Sequence, residues 1–215
     1  MNAGEGTVFI VDDTEDVRTA LSRALVAAGY QVRSFESAER FLEEQDGEAP
    51  GCLLLDICMP GMSGLEVQRS LIGSKCGRSI VFVTGHGDIE SSVSAMKLGA
   101  VDFLTKPIEV VQLLAAVKRA QRLDLEARRE RAARSVIEAR LKSLTPREQQ
   151  VMEDVINGRL NKNIGAHLGI CEATVKVHRA RAMSKMGVRS VPELVHVGAK
   201  LGITNLLINW LRPHA

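Results

Sequence analysis

Short apolar runs alternate with amphipathic stretches through the first half of the chain. The runs fall at 8–11, 52–55, 80–83 and around 101–104, with a weaker one at 31–35. Between them, apolar residues recur at helical spacing over 16–28, 38–44, 64–72, 89–98 and 109–120. Gly29, Gly47, Pro50, Gly51, Pro60, Gly61, Gly85 and Gly99 punctuate most of the joints. Five strands alternating with five helices predict a parallel sheet covered on both faces. Such a sheet binds its ligands beyond the carboxyl ends of its strands.

The pattern then changes. Residues 117–143 contain no Pro or Gly and are rich in Ala, Arg, Glu and Leu, so the fifth helix is expected to run on through them. Leu113, Val117, Ala120, Val136, Ile137 and Leu141 are spaced too irregularly for a coiled coil, which leaves a solvated helix. A third region opens at 144–148, where Thr145 suits an N-cap, Pro146 the first helical position and Glu148 the closing residue of a capping box. Helical patterns follow at 146–157, 161–168, 172–186 and 191–201, broken by Gly158, Gly169 and Gly187. Wound at about 100° per residue, the segment 172–186 buries Val175, Ala182 and Met186. Its opposite face shows Ala173, Val177, Ala180, Arg181 and Ser184, flanked by Lys176.

Composition narrows the class. At 215 residues, 45% hydrophobic and 25% charged, the chain has room for one medium and one small globular domain. No apolar run reaches the roughly 18 residues of a membrane helix. The first six residues lack the basic and apolar regions of a signal peptide, so a cytoplasmic protein is expected. Cys52, Cys58, Cys76 and Cys171 form no metal-binding spacing and read as reduced thiols. The net charge of +2 hides an asymmetry: residues 1–117 carry 9 basic and 17 acidic side chains, residues 118–147 carry 10 and 4, and residues 148–215 carry 9 and 5. Only the rear of the chain is suited to a polyanion.

The chemistry follows from the order of the strands. Asp12 and Asp13 follow the first, Asp56 ends the third, Thr84 ends the fourth, and Lys106 with Pro107 comes just after the fifth. A parallel sheet brings all of these to one edge. Three carboxylates in one cleft repel unless a cation neutralises them, and oxygen donors suit Mg²⁺. A carboxylate there can attack a phosphoryl donor, with Lys106 and the Thr84 hydroxyl stabilising the transferring charge. On the segment 172–186, small residues permit close approach to base edges. Val177 suits a thymine methyl, and Lys176 and Arg181 suit guanine or phosphate. Arg179 falls on the inner side and is expected to reach outward to phosphate.

Four motifs resemble the receivers of FixJ-type response regulators: Val-Asp-Asp-Thr at 11–14, Leu-Asp-Ile-Cys-Met-Pro-Gly-Met-Ser-Gly at 55–64, Val-Thr-Gly-His-Gly-Asp at 83–88 and Gly-Ala-Val-Asp-Phe-Leu-Thr-Lys-Pro at 99–107. The resemblance implies a flavodoxin-like α/β receiver, a five-stranded parallel sheet of order 2-1-3-4-5. Asp56 would be the phosphoacceptor. Asp12, Asp13, Asp56 and the Cys58 backbone carbonyl would hold Mg²⁺. Thr84 would be the switch hydroxyl, Phe103 the switch aromatic and Lys106 the cation pairing with phosphate, followed by a cis bond to Pro107. Ile89, Val93, Met96, Lys97, Val101 and Phe103 would line a receiver dimer. Cys58 departs from the Arg frequent at its position, which bears on how fast phosphate is lost.

Leu-Thr-Pro-Arg-Glu at 144–148, Asn-Lys-Asn-Ile at 161–164, Ala-Thr-Val-Lys-Val-His-Arg at 173–179, Lys-Met-Gly-Val-Arg-Ser at 185–190 and Glu-Leu-Val at 193–195 are similar to LuxR-type DNA-binding domains. That likeness implies a small all-α helix-turn-helix domain, joined to the receiver by a long helical linker. Its third helix would enter the major groove through Thr174, Lys176, Val177, His178, Arg179, Ala180, Arg181 and Lys185, and its fourth would serve dimerisation. Two departures carry a cost. Cys171 replaces the usual Ser cap, on the order of 1 kcal/mol, and Gly165 replaces Ala, about 1 kcal/mol in propensity. The expected organisation is receiver 1–120, linker 121–143, DNA-binding domain 144–204 and tail 205–215.

Together these imply a transcription regulator phosphorylated on Asp56 by a sensor histidine kinase, dimerising on a double-stranded DNA operator and meeting RNA polymerase. It would act without a membrane and perform chemistry only on itself. A phosphatase or phosphotransferase for small molecules would need a substrate-capping domain, for which no residues remain. A receiver signalling only through proteins is opposed by Lys176, Val177 and Arg181.

Overall fold

The computed structural model describes residues 6–47, 49–72, 77–85 and 89–203. Cys76, the motif residues His86, Gly87 and Asp88, and the tail 205–215 lie outside the described residues. The chain forms two compact units, Met1–Arg128 and Arg129–Ala215.

In the first unit, β1 (Thr7–Val11), β2 (Gln31–Phe35), β3 (Gly51–Asp56), β4 (Ser79–Thr84) and β5 (Asp102–Thr105) pair in parallel in the order β2-β1-β3-β4-β5. The joints carry α1 (Glu15–Ala27), α2 (Ala38–Glu44), α3 (Gly64–Leu71) and α4 (Ile89–Lys97), and α5 (Val110–Lys142) follows β5. This is the flavodoxin-like receiver fold. The two-residue period of the strands divides the core. Phe9, Val11, Leu53, Leu55 and Phe82 pack with Phe41 of α2, Val67 and Leu71 of α3 and Ala95 of α4. Their neighbours Val8, Ile10, Cys52, Leu54, Val81 and Val83 pack on the other face with Leu21 and Leu25 of α1 and Leu113, Ala116, Val117 and Ala120 of α5. Strands apolar on both faces are what two covering layers of helices require.

Beyond β3 the chain turns back tightly on Asp56. The Gly64 amide donates to the Ile57 carbonyl at 3.0 Å, and a Cβ at Gly64 would lie 2.2 Å from the Asp56 carbonyl oxygen. No side chain fits there, so glycine lets α3 begin against the backbone of the candidate phosphoacceptor. Ser63 and Glu66 close a capping box at that start.

Helix α5 spans 33 residues as one element. It belongs to the first unit as far as Arg128, further than residue 120, where the apolar stripe fades. The reason is a polar latch at the amino edge of the sheet. Asp124, fully buried, accepts from the Gly51 amide at 3.0 Å and from Arg128 Nε at 2.6 Å. Arg128 also donates to the Ala49 carbonyl at 2.8 Å, and Gln121 donates to that of Gly6 at 3.2 Å. The Cys52 thiol beside it is pushed up to about 12, chiefly by burial and then by the Asp124 charge, so it stays protonated. Asp124→Asn is expected to lower receiver stability by about 2 kcal/mol, since it uncouples the Arg128 charge and weakens the Gly51 bond. Urea unfolding of the chain and of the variant reads this directly.

In the second unit, α6 (Pro146–Ile156), α7 (Asn161–Leu168), α8 (Glu172–Met186) and α9 (Val191–Lys200) enclose Val151, Met152, Val155, Ile156, Ile164, Val175, Ala182, Met186 and Leu194. Thr145, Pro146 and Glu148 start α6 with the capping box read from the sequence. Gly169 and Gly187 end α7 and α8 in the left-handed conformation. Gly165 corrects an expectation. A Cβ there would lie 2.7 Å from the Ile170 carbonyl oxygen, so the propensity given up inside α7 is offset by the close turn into α8.

Candidate functional site

The carboxyl edge of the sheet gathers the acidic residues as the topology requires. Oxygens of Asp12, Asp13 and Asp56 lie within 4.8 Å of one another. Asp12 and Asp56 are buried and Asp13 is exposed. Asp12 is held by the Thr14 amide, which donates to Oδ1 at 2.9 Å. Asp56 Oδ1 accepts from the Cys58 amide at 3.2 Å. Lys106 reaches over both, its Nζ 2.6 Å from Asp12 Oδ2 and 2.7 Å from Asp56 Oδ2. Its backbone amide donates to the Thr84 carbonyl at 2.8 Å, and the bond to Pro107 is cis.

Burial pushes the Asp56 carboxyl above the ordinary carboxylate range, helped by the Asp12 charge and resisted by the Lys106 hydrogen bond and charge. Burial of the Lys106 stem pulls its ammonium down, but bonds and charges from Asp12 and Asp56 together raise it above its usual value. The result is a fixed cation beside a carboxylate that is costly to keep charged. Hard oxygen donors converging in this way fit a Mg²⁺ ion. Lys106 supplies a positive charge where the equatorial oxygens of a phosphoryl group would gather.

Thr84 is fully buried at the end of β4. Phe103 pairs in register with Phe82 and is half-buried against the core on the α2–α4 face. The residues expected to line a dimer do not form one exposed face. Val93, Met96 and Lys97 are exposed on α4, but Val101 and Phe103 pack on opposite faces of the sheet. The side chain of Ile89 lies outside the described residues.

On α8 the helical wheel holds for the apolar and the small residues. Val175, Ala182 and Met186 are buried, whereas Ala173, Lys176, Val177, Ala180, Arg181 and Ser184 are exposed. Lys176 meets Glu172 of its own helix at 3.1 Å. Thr174 is half-buried, with its hydroxyl 3.1 Å from Cys171 Sγ. Cys171 makes no side-chain cap bond, as a thiol in place of serine leads one to expect. His178 is half-buried, and its Nδ1 has no hydrogen-bond partner among the described residues.

Two cations differ from expectation. Arg179 does not reach outward: its Nη1 donates to Asn161 Oδ1 at 3.0 Å, joining α8 to the start of α7. Lys185 Nζ lies 2.6 Å from the buried Glu148 carboxylate and 3.1 Å from the Ser143 carbonyl. The wheel gives each residue's radial direction but not the groups that a neighbouring helix presents to it.

A receiver fold with this acidic edge, on one chain with a helix-turn-helix, defines a two-component response regulator that binds DNA. Residues 8–118 match the response regulator receiver domain, and residues 142–198 match the luxR family of bacterial regulatory proteins. Response regulator protein TmoT of Ectopseudomonas mendocina is 45% identical, covering 94% of this chain and 91% of its own. The solved structure of response regulator StyR is 48% identical at a TM-score of 0.79, covering 90% of this chain and 98% of its own. Full-length FixJ from B. japonicum is 39% identical at 0.57, covering 94% and 100%. The chain belongs to the FixJ-type response regulators, with a receiver followed by a LuxR-type helix-turn-helix. It is a transcriptional regulator rather than a metabolic enzyme. Among the described residues no helix is long and apolar enough to cross a membrane.

Proposed function

We propose that Asp56 accepts a phosphoryl group from a sensor histidine kinase, and that the phosphorylated receiver pairs with a second copy to place two α8 helices on a DNA operator. The observation that carries this reading is the Lys106 ammonium bridging Asp12 and Asp56 at 2.6 and 2.7 Å. In the transfer, a carboxylate oxygen of Asp56 bonds to phosphorus as the phosphorus–nitrogen bond of the donor histidine breaks, giving an aspartyl phosphate and free imidazole. Asp12, Asp13, Asp56 and the Cys58 backbone carbonyl would hold Mg²⁺, which when bound neutralises charge on the phosphoryl oxygens. Lys106 stays within reach to pair with one of those oxygens. Water later hydrolyses the acyl phosphate, so the receiver's chemistry is confined to its own side chain.

The switch follows from new acceptor oxygens on Asp56. The Thr84 hydroxyl turns toward them, and the half-buried Phe103 moves into the space released. The surface of α4 and β5, with Val93, Met96 and Lys97, is remodelled for a second receiver. Pairing raises the effective concentration of the second DNA-binding unit over a paired half-site. The same reading has the regulator in the cytoplasm, meeting RNA polymerase at the promoter.

Sedimentation across a concentration series tests it. Beryllofluoride with Mg²⁺ is expected to tighten dimerisation of the full chain, with some dimer present without it, because the ligand shifts an existing equilibrium. Thr84→Ala is expected to blunt the response while Asp56 still accepts phosphate. Equal mass with and without the mimic at every concentration refutes phosphorylation-driven pairing.

A further inference from the structure

The last turns of α5 are part of the DNA-binding unit. Ile137 and Leu141 pack against the core that contains Val151 and Met186. Arg140 Nη1 donates to the carbonyl of Met186, the last residue of α8, at 3.0 Å. From the opposite direction, Lys185 of α8 donates to the carbonyl of Ser143, just past the end of α5, at 3.1 Å. Lys185 also pairs with Glu148 at 2.6 Å. Glu148 in turn accepts the Thr145 amide at 2.9 Å, closing the cap of α6. The end of α5, the start of α6 and the end of α8 thus meet through two cations and one buried carboxylate.

This fastening acts where a helix most needs it. The final carbonyls of α8 have no partner inside the helix, and a cation there also opposes the negative end of the helix dipole. Gly187 leaves room for it. A Cβ at that position would fall 2.5 Å from Arg140 Nη1. The guanidinium therefore occupies the space that any other residue's side chain would enter. Arg179 ties α8 to the start of α7 at 3.0 Å, and the Arg140 bond anchors its far end.

We propose that Arg140 is a positioning residue for DNA recognition. By clasping the carboxyl end of α8 to the linker helix, it sets the pose in which Lys176, Val177, Ala180 and Arg181 meet the major groove. This rests on the reading of α8 as the groove-entering helix. Base readout depends on side chains placed to within a fraction of an ångström, whereas phosphate attraction tolerates a shifted helix. Arg140 therefore governs discrimination between sequences rather than general affinity.

The experiment uses the full chain, a duplex selected by it from a randomised pool, and a shuffled duplex of equal length. Arg140→Met is expected to weaken binding to the selected duplex about tenfold, the effect of one charged hydrogen bond. Binding to the shuffled duplex and the salt dependence should stay unchanged. Arg140→Lys, which keeps a donor of similar reach, restores most of the discrimination. Equal losses on both duplexes with a flattened salt dependence would make Arg140 a phosphate contact and overturn the proposal, as would undiminished binding to the selected duplex. Arg181→Ala is the control for the underlying reading: if it changes neither duplex, the assignment of α8 fails rather than the clasp. Should Arg140→Met not fold, Arg140→Gln is carried through the same comparison.

Discussion

Asp56→Asn is expected to reduce Mg²⁺-dependent labelling by acetyl phosphate to background while the receiver stays folded. The substitution keeps the shape and the bond from the Cys58 amide but removes the attacking carboxylate. Asp12, held by the Thr14 amide and by Lys106, is expected to serve as a Mg²⁺ ligand and not to take up the label in its place. Asp13 belongs to the same cluster but is exposed. The variant also has a stability signature. Burial raises the Asp56 pKa, and a group so raised contributes stability below its unfolded value that is lost as pH rises through its folded one. At neutral pH the wild-type carboxylate is therefore held at a cost that asparagine does not bear. The metal-free variant is expected to melt above wild type at pH 7, with the gap closing as the pH falls below the ordinary aspartate value. Acid-stable labelling of the variant at the wild-type level would remove Asp56 from the role.

The acidic site was legible because topology does the placing. Strand ends of a parallel sheet share one edge, so knowing that Asp56 and Thr84 end two strands and that Asp12 and Lys106 directly follow two others is enough to bring them together. Strands β1, β3 and β4 announce themselves as uninterrupted apolar runs. Strand β5 shows where that signal ends. The run around Val101 marks burial, whereas the ladder starts at Asp102, and the Val101 amide bonds to Ile80 before the strand begins. Polar groups that work inside the fold left almost no trace. Asp124 and Gly51 are far apart in sequence, and Asp124 stands in a charged run that reads as a solvated face. Only its spacing of four from Arg128 hints at a pair. Arg78 is buried over the Phe9 ring at 4.0 Å, and nothing in its neighbourhood in the sequence marks it as interior. The same limit applies to Lys185, whose partner Glu148 reads from the sequence only as a capping residue.

Replacing Lys176 and Arg181 together with alanine is expected to weaken operator binding about a hundredfold, with each contact to guanine or phosphate contributing about 1–3 kcal/mol. Both side chains are exposed on the face of α8 that also presents Val177 and Ala180. The pair that Lys176 makes with Glu172 at 3.1 Å is exposed and holds it only weakly, so the ammonium is available to DNA. Arg179 and Lys185, by contrast, are tied to Asn161 and Glu148, and their loss should appear first in the stability of the unit. Salt dependence separates the two classes. Each phosphate contact removed lowers the slope of log K against log salt by about one, so the double variant should bind with a visibly shallower slope. Acceptance of phosphate by Asp56 should survive, because the receiver is a separate compact unit. Titration of one duplex at several salt concentrations reads affinity and slope together. Unchanged affinity at fixed salt would mean that another face of the unit meets DNA.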